Sequence, residues 1–570
     1  MRDDLMVLGR LRAQFRGGAI FARQAKPPCT LSERRMRRAS STIRRRPGWL
    51  SEVGAGMAGW DEALGELTAK EREYVVGELW FYASLHASGS DIRLAPVDGV
   101  WWSGLRVDGA TQGELRLWAL AIERYEECVV DDGQVRFLVD PSMFPLVYSQ
   151  STLVRLPSMS AAMRPHLFGH APGTPQRWAL MMRAIAKDPA HDRRDDPFGA
   201  YTLPVAPDWA VSSEYSWLPA EFQLDPGGRA RIHSYINNLS PTKYPVFYSV
   251  IERIFSAMVP ILEQVLTDLA HPRAPCVPCG LYRWWAASDE DASSAAAEAD
   301  QEEAGPGRQR ADAAGTDQEQ RRAAWARYQA GLDDPQPGPF AASGRPIIPY
   351  TLCGRRLQAV VEMSDILLTP AAPKYATDWA VDGMANERII ATGVFHYAAE
   401  NIGHSTIALR ESVQGNIDYD AASSEAMARL YGLAPDERQQ CTATRDVGYI
   451  EAPSGRCIVY PNTYQHRRTV RLADPTRPGK LRRIVFYFVD PSTRVPSSEL
   501  VPPQQAHWLD AAQAHDVAYD GTYLRKRGTD LRRFAISPQQ AMDLRASMKR
   551  ERAAAMRDLD ALFEPRVSPP

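Results

Sequence analysis

Seven short segments crowd the stretch from residue 357 to residue 489, and they restrict the fold more than any other feature of the chain. They are 357–368, 388–397, 406–410, 447–452, 456–460, 467–472 and 482–489. Each is rich in β-branched and aromatic residues and is bounded by turn formers, the composition of strands. So many strands in about 140 residues must pair with one another to satisfy their backbones, which predicts a sandwich or barrel. In the first segment Leu357, Ala359, Val361 and Met363 alternate, so one apolar face points inward.

Helical periodicity dominates the earlier part. Residues 241–271 repeat apolar side chains at Val246, Val250, Ile254, Phe255, Met258, Ile261, Leu262, Val265 and Leu269. That spacing makes one wide buried stripe, which Pro260 is expected to kink or divide. Residues 61–87 and 113–127 read as surface helices, 175–188 as a helix around Trp178, and 141–148 as a buried, proline-punctuated loop. A closing helix is expected over 537–563, with Ser537 as N-cap, Pro538 in the first turn and Gln540 completing a capping box. Residues 287–339 are Ala, Glu, Asp, Gln, Gly and Arg with few large aliphatics, too little apolar area to offset chain entropy. Residues 1–46 set thirteen Lys and Arg against three acids and read as a flexible basic arm. A mitochondrial presequence is the alternative reading of that segment.

A net charge of -2 over 570 residues gives no reason to expect nucleic acid or an anionic membrane as partner. No apolar run approaches the roughly 20 residues a membrane helix needs. Seven cysteines with no expected secretory signal point to a reducing, cytoplasmic compartment. Cys276 and Cys279 form a CxxC with no second pair nearby, short of the four ligands of a structural zinc. Neither a phosphate-cradling glycine loop nor a Gly-x-Ser-x-Gly elbow is present.

The chemistry-bearing residues cluster in the strand-rich part. On a strand, i and i+2 point the same way, so a His-x-Asp/Glu pair offers two ligands to one metal and a distant strand can supply a second histidine. Three such ligands leave open positions on an octahedral iron for a bidentate co-substrate and dioxygen. His466 lies 84 residues after Asp382, and Arg482 and Arg483 open the following strand. A guanidinium there is placed to hold the far carboxylate of 2-oxoglutarate. On composition alone, Asp382 before Gly383 is a turn residue and His466 a hydrogen-bonded histidine among arginines.

Four segments, in order, carry a wider resemblance. They are Ser234-Tyr235-Ile236-Asn237-Asn238-Leu239-Ser240-Pro241-Thr242-Lys243, Trp379-Ala380-Val381-Asp382-Gly383-Met384-Ala385-Asn386-Glu387, Tyr397-Ala398-Ala399-Glu400-Asn401-Ile402, and Tyr460-Pro461-Asn462 through His466 with Phe488-Val489-Asp490-Pro491. Over about residues 47–510 the chain resembles a mostly fungal domain-of-unknown-function family, itself similar to the jelly-roll Fe(II)/2-oxoglutarate oxygenases. Composition and resemblance together give the expectation of an α+β fold: a basic disordered arm (1–46), a mainly helical N-terminal region (47–286), a disordered insertion (287–339), a core (340–500) that the resemblance implies to be a double-stranded β-helix or jelly roll, and a C-terminal helical extension (501–570). The resemblance further implies Asp382 and His466 as iron ligands, with Fe(II) and 2-oxoglutarate as cofactors and an unidentified substrate. Arg482, Arg483, Asn237, Asn386 and Asn401 would contact the co-substrate or support the site. In the family the second motif resembles Trp-His-Val-Glu-Gly, so Ala380 stands where the first histidine belongs. His396 is the substitute ligand to consider, with His404 and Glu387 behind it. Hydroxylation-type chemistry at an altered site is one expectation; a catalytically inactive binding or scaffold module is the other.

Overall fold

The computed structural model describes residues 30–54, 59–86, 90–148, 150–151, 210–271, 336–340, 349–412, 444–508 and 535–561. Seven helices are α1 (Leu31–Arg45), α2 (Trp49–Gly54), α3 (Asp61–Leu64), α4 (Ala69–Leu85), α5 (Gly109–Tyr125), α6 (Pro245–Ala270) and α7 (Pro538–Ala561) among the described residues. The strands of the N-terminal half are β1 (Arg93–Leu94), β2 (Trp101–Ser103), β3 (Val129–Asp131), β4 (Val135–Val139), β5 (Leu146–Val147), β6 (Tyr215–Ser216), β7 (Ala220–Leu224) and β8 (Ala230–Ile232). Those that follow are β9 (Arg356–Leu368), β10 (Lys374–Ala376), β11 (Ile389–Glu400), β12 (Ile402–Ser412), β13 (Thr444–Glu451), β14 (Cys457–Pro461), β15 (Gln465–Leu472) and β16 (Gly479–Val489).

All seven expected strands form, and β10 joins them. The fold is mixed α and β with antiparallel sheets. A ten-stranded sheet runs β1-β2-β14-β11-β16-β9-β4-β3, with β7 and β8 attached beside β9; a four-stranded sheet runs β10-β15-β12-β13. From β9 to β16 the chain thus crosses from one sheet to the other at every step except the β12–β13 pair. The central strands β9, β11, β14 and β16 of the large sheet are buried on both faces over most of their length. On β9, Leu357, Ala359, Val361 and Met363 pack toward the helices, while Val360 joins the layer between the sheets.

Helix α6 lies on the outer face of the large sheet. Its Phe255 stacks on Phe222 with ring centroids 3.9 Å apart and meets Phe486 and Phe488 edge-on. Pro260 sits inside it without dividing it. By length and composition α6 is apolar enough to cross a membrane, contrary to the expectation that no such run exists. Here that apolarity serves the sheet: Phe247, Val250, Ile254, Met258, Ile261 and Val265 are all buried in the core. Gly393 on β11 allows the close approach, because a Cβ there would lie 2.8 Å from both Met258 Sδ and Phe488 Cε2.

One regional expectation needs correction, and another gains a part it did not foresee. Residues 31–45 are helix, not free arm. Thr30 caps α1 through Glu33 N–H (3.1 Å), Met36 and Ile43 are buried, and Arg44 donates to the carbonyls of Ala95 and Pro96. The arginine stems cover apolar surface and their heads find acceptors, so charge density did not mean solvation. Among the described residues of 47–286 helix outweighs strand, and the short strands β1, β2, β3, β4, β7 and β8 extend the large sheet, satisfying edges that the later strands alone would expose. At the C-terminus the capping box forms as read, with Gln540 N–H on Ser537 Oγ (3.3 Å) and Ser537 N–H on Gln540 Oε1 (3.0 Å). Residues 1–29, the 175–188 helix, Cys276, Cys279 and nearly all of 287–339 lie outside the described residues.

Candidate metal centre

Residues 380–383 leave the β10 edge and continue along β15. Ala380 faces His466 as an isolated antiparallel bridge, N–H to carbonyl at 3.1 Å one way and 2.8 Å the other. Directly opposed residues project to the same side, and so does the residue two further on. Positions 380, 382 and 466 therefore share one face. Asn462 brackets the turn: its Oδ1 accepts from Asp382 N–H (2.9 Å) while its Nδ2 donates to the carbonyls of Asp382 (2.8 Å) and Ile389 (3.1 Å). Gly383 has φ +76°, and a Cβ there would fall 2.8 Å from Glu387 Oε2, so the turn requires glycine.

Asp382 and His466 come together as expected, with Nε2 3.7 Å from Oδ1. The other carboxylate oxygen accepts from Thr392 Oγ1 (2.6 Å) and from Tyr460 OH (3.4 Å). His466 is buried, and its Nδ1 has no hydrogen-bond partner. Burial, with Arg468 and Arg483 nearby, outweighs Asp382 and pushes the imidazole down to about 4, so the ring is neutral at pH 7. His466 is the second residue of β15.

A second set of polar groups fills the space between the sheets. Arg468, two residues after His466 on β15, donates to Tyr460 OH (3.0 Å), linking it through that hydroxyl to Asp382. Burial alone would lower the Arg468 pKa, but Tyr460, Asp382, Tyr487 and Glu362 hold it well above the usual value. Glu362 accepts from Arg483 (3.1 Å), Ser364 (2.8 Å) and Tyr487 OH (2.7 Å). Arg468, Glu362 and Tyr487 escaped the sequence reading, and Tyr460 entered it as a motif residue with no role at the site. Period-two spacing from His466 to Arg468 and from Arg483 to Tyr487 was the available signal.

The remaining expected site residues divide sharply. Arg483 faces this space but is already held by Glu362 and Ser364. Arg482, one residue away, must face the opposite side of the sheet, where it pairs with Glu123 (2.5 Å) and lies 3.7 Å from Asp365. His396 shares the inward face but sits four residues along β11 from Thr392, roughly 13 Å of extended strand. A carbonyl only accepts, so its Nδ1–H donates to Ala452 O (2.6 Å). His404 is exposed on β12. Glu387 binds the N–H groups of Trp217 and Met384 and the Arg552 guanidinium of α7. None of these three replaces the missing imidazole.

The asparagines are structural. Asn237 donates to Met143 O (2.8 Å) and accepts from Gln505, tying the 141–148 loop to the C-terminal segment. Asn386 donates to Tyr148 OH (2.8 Å) and accepts from Ser212 N–H. Asn401, at φ +51°, donates to the carbonyls of Asp474 and Arg477 and shapes the β15–β16 turn.

The donor set does not fit a tightly held iron. A facial site needs three protein ligands. Two stand here, and Ala380 contributes a methyl. Among the described residues no group of three or more His, Cys, Asp or Glu converges on a metal position.

No curated protein matches the chain. The solved structure of an Fe(II)/(alpha)ketoglutarate-dependent dioxygenase, TqaL, is similar at 8% identity, covering 69% of this chain and 92% of that one, with a TM-score of 0.22. The family model described as "Protein of unknown function (DUF4246)" matches residues 70–512, well over half of the chain, and the chain belongs to that family.

Proposed function

We propose that this protein is a jelly-roll, Fe(II)/2-oxoglutarate oxygenase-like protein whose metal site has lost one ligand, leaving a catalytically inactive binding module. The orders β9-β16-β11-β14 and β10-β15-β12-β13, with the chain crossing between the sheets at every step but β12 to β13, support the jelly-roll reading. Within that frame the ligand face is where an oxygenase would carry it. The observation that carries the reading is the Ala380–His466 bridge, which aims the Ala380 side chain at the place a third ligand would occupy.

Arg483 supports the same reading. It holds the position expected for a carboxylate-binding cation, yet Glu362 already supplies the carboxylate. A protein side chain satisfying that guanidinium removes much of the drive to bind an external diacid.

Anaerobic titration of the native protein with Fe(II) and 2-oxoglutarate tests this. The expected result is no metal-to-ligand charge-transfer band in the visible. A band would show that two protein ligands suffice and would restore the alternative, a working hydroxylase.

A further inference from the structure

The space between the sheets carries its own charge balance. Asp382, Glu362, Arg468 and Arg483 are all at least nine-tenths buried there. Two carboxylates face two guanidiniums, so the formal charge is zero without any metal. Arg483 belongs to Glu362, which leaves Arg468 for Asp382. The connection runs through one hydroxyl: Arg468 Nη2 donates to Tyr460 OH at 3.0 Å, and the same hydroxyl donates to Asp382 Oδ2 at 3.4 Å. Thr392 closes the other side of that oxygen.

We propose that Arg468 is the resident counter-charge of Asp382, standing in the protein for the cation that a metal would supply. This rests on the reading of the site as one ligand short, and adds that the loss of the imidazole is not the whole of the disarming. A divalent ion entering beside Asp382 would leave the buried cluster two charges positive, with a guanidinium nearby and no acceptor to neutralise it. Burying uncompensated charge is strongly unfavourable. Restoring histidine at 380 therefore does not by itself restore the metal; the guanidinium must also go.

The test uses Co(II) alone as probe, read by its visible d–d absorption, on the full chain. Four forms are compared: native, Ala380→His, Arg468→Met, and the double variant Ala380→His/Arg468→Met. Expected is no Co(II) spectrum for the native protein and at least about tenfold tighter Co(II) binding by the double variant than by Ala380→His, about 1.4 kcal/mol. Equal binding by Ala380→His and the double variant would overturn the role of Arg468 while leaving the one-ligand-short reading intact. Co(II) binding by the native protein would overturn both. Thermal melting supplies an independent arm. Arg468→Met strands a buried carboxylate and should melt below native, and Arg468→Met/Asp382→Asn should recover most of that loss. Failure of the second change to recover stability would refute the pairing even where Arg468→Met alone folds poorly.

Discussion

His396 gives the sharpest quantitative handle on this interior. Burial, reinforced by the guanidiniums of Arg483 and Arg468, holds its imidazole at about 4 against an ordinary 6.5, despite the hydrogen bond to Ala452 O. The native state therefore refuses a proton that the unfolded chain accepts, and stability must fall as pH drops from the unfolded value toward the folded one. Above 6.5 both states are neutral and nothing changes; below about 4 both are protonated and the loss is complete. A shift of this size corresponds to about 3 kcal/mol, lost at about 1.4 kcal/mol per pH unit through that window. His396→Gln removes the titration while keeping a donor for Ala452. Urea unfolding followed by circular dichroism, between about pH 7.5 and pH 4.5, should show the native protein losing roughly 3 kcal/mol more than the variant. The unfolding midpoints should begin to diverge only below pH 6.5. Parallel profiles over the whole range would mean that His396 is solvated or charged in the fold, refuting its placement between the two arginines.

Other parts of the frame yield further expectations. Gly393→Ala would press a methyl onto Met258 and Phe488, costing about 1–3 kcal/mol, visible as a lowered melting temperature with α6 still helical. Glu387→Gln would uncouple α7 from the 383–387 turn by breaking the Arg552 pair; roughly 3 kcal/mol and faster protease cleavage within 538–561 are expected. Arg545→Met would strand the buried Asp140 carboxylate, which Arg545 reaches at 2.6 Å, for about 3–5 kcal/mol at neutral pH. Burial already raises the Asp140 pKa, so the penalty should shrink as acid neutralises it, and a penalty independent of pH would contradict the pairing.

The strand-rich half was legible because β-branched alternation and turn formers are local signals, and β9 and β11 to β16 fall where those signals lie. The α7 capping box and the α6 stripe were legible for the same reason. What composition could not show was partnership. The α1 arginines looked solvated because sequence does not reveal that Ala95 and Pro96 offer carbonyls. Arg482 and Arg483 were read as interchangeable, although alternation allows only one to face the site. Asn237, Asn386 and Asn401 look like site residues in sequence, yet each donates to backbone carbonyls or a tyrosine hydroxyl far along the chain. Arg468 passed unnoticed because an arginine beside Arg467 reads as one more surface charge. Only pairing β15 across the second sheet turns it inward.

The face that carries Asp382 and His466 is held in place by bonds between protein groups. Asn462 brackets Asp382 through backbone on both sides, Thr392 and Tyr460 satisfy one carboxylate oxygen, and Glu387 ties the following turn to Trp217 and α7. Each bond is between protein groups, so folding and metal loading should be uncoupled. A ligand that binds only the native state adds about 2.7 kcal/mol of stability at a hundred times its dissociation constant. A resident metal would thus raise the melting temperature and a chelator would lower it. For this chain, thermal melts in excess EDTA and in anaerobic Fe(II) should superimpose on the untreated protein. A chelator-induced drop would show that the bracket around Asp382 depends on an ion after all, and that Arg468 does not carry the charge assigned to it.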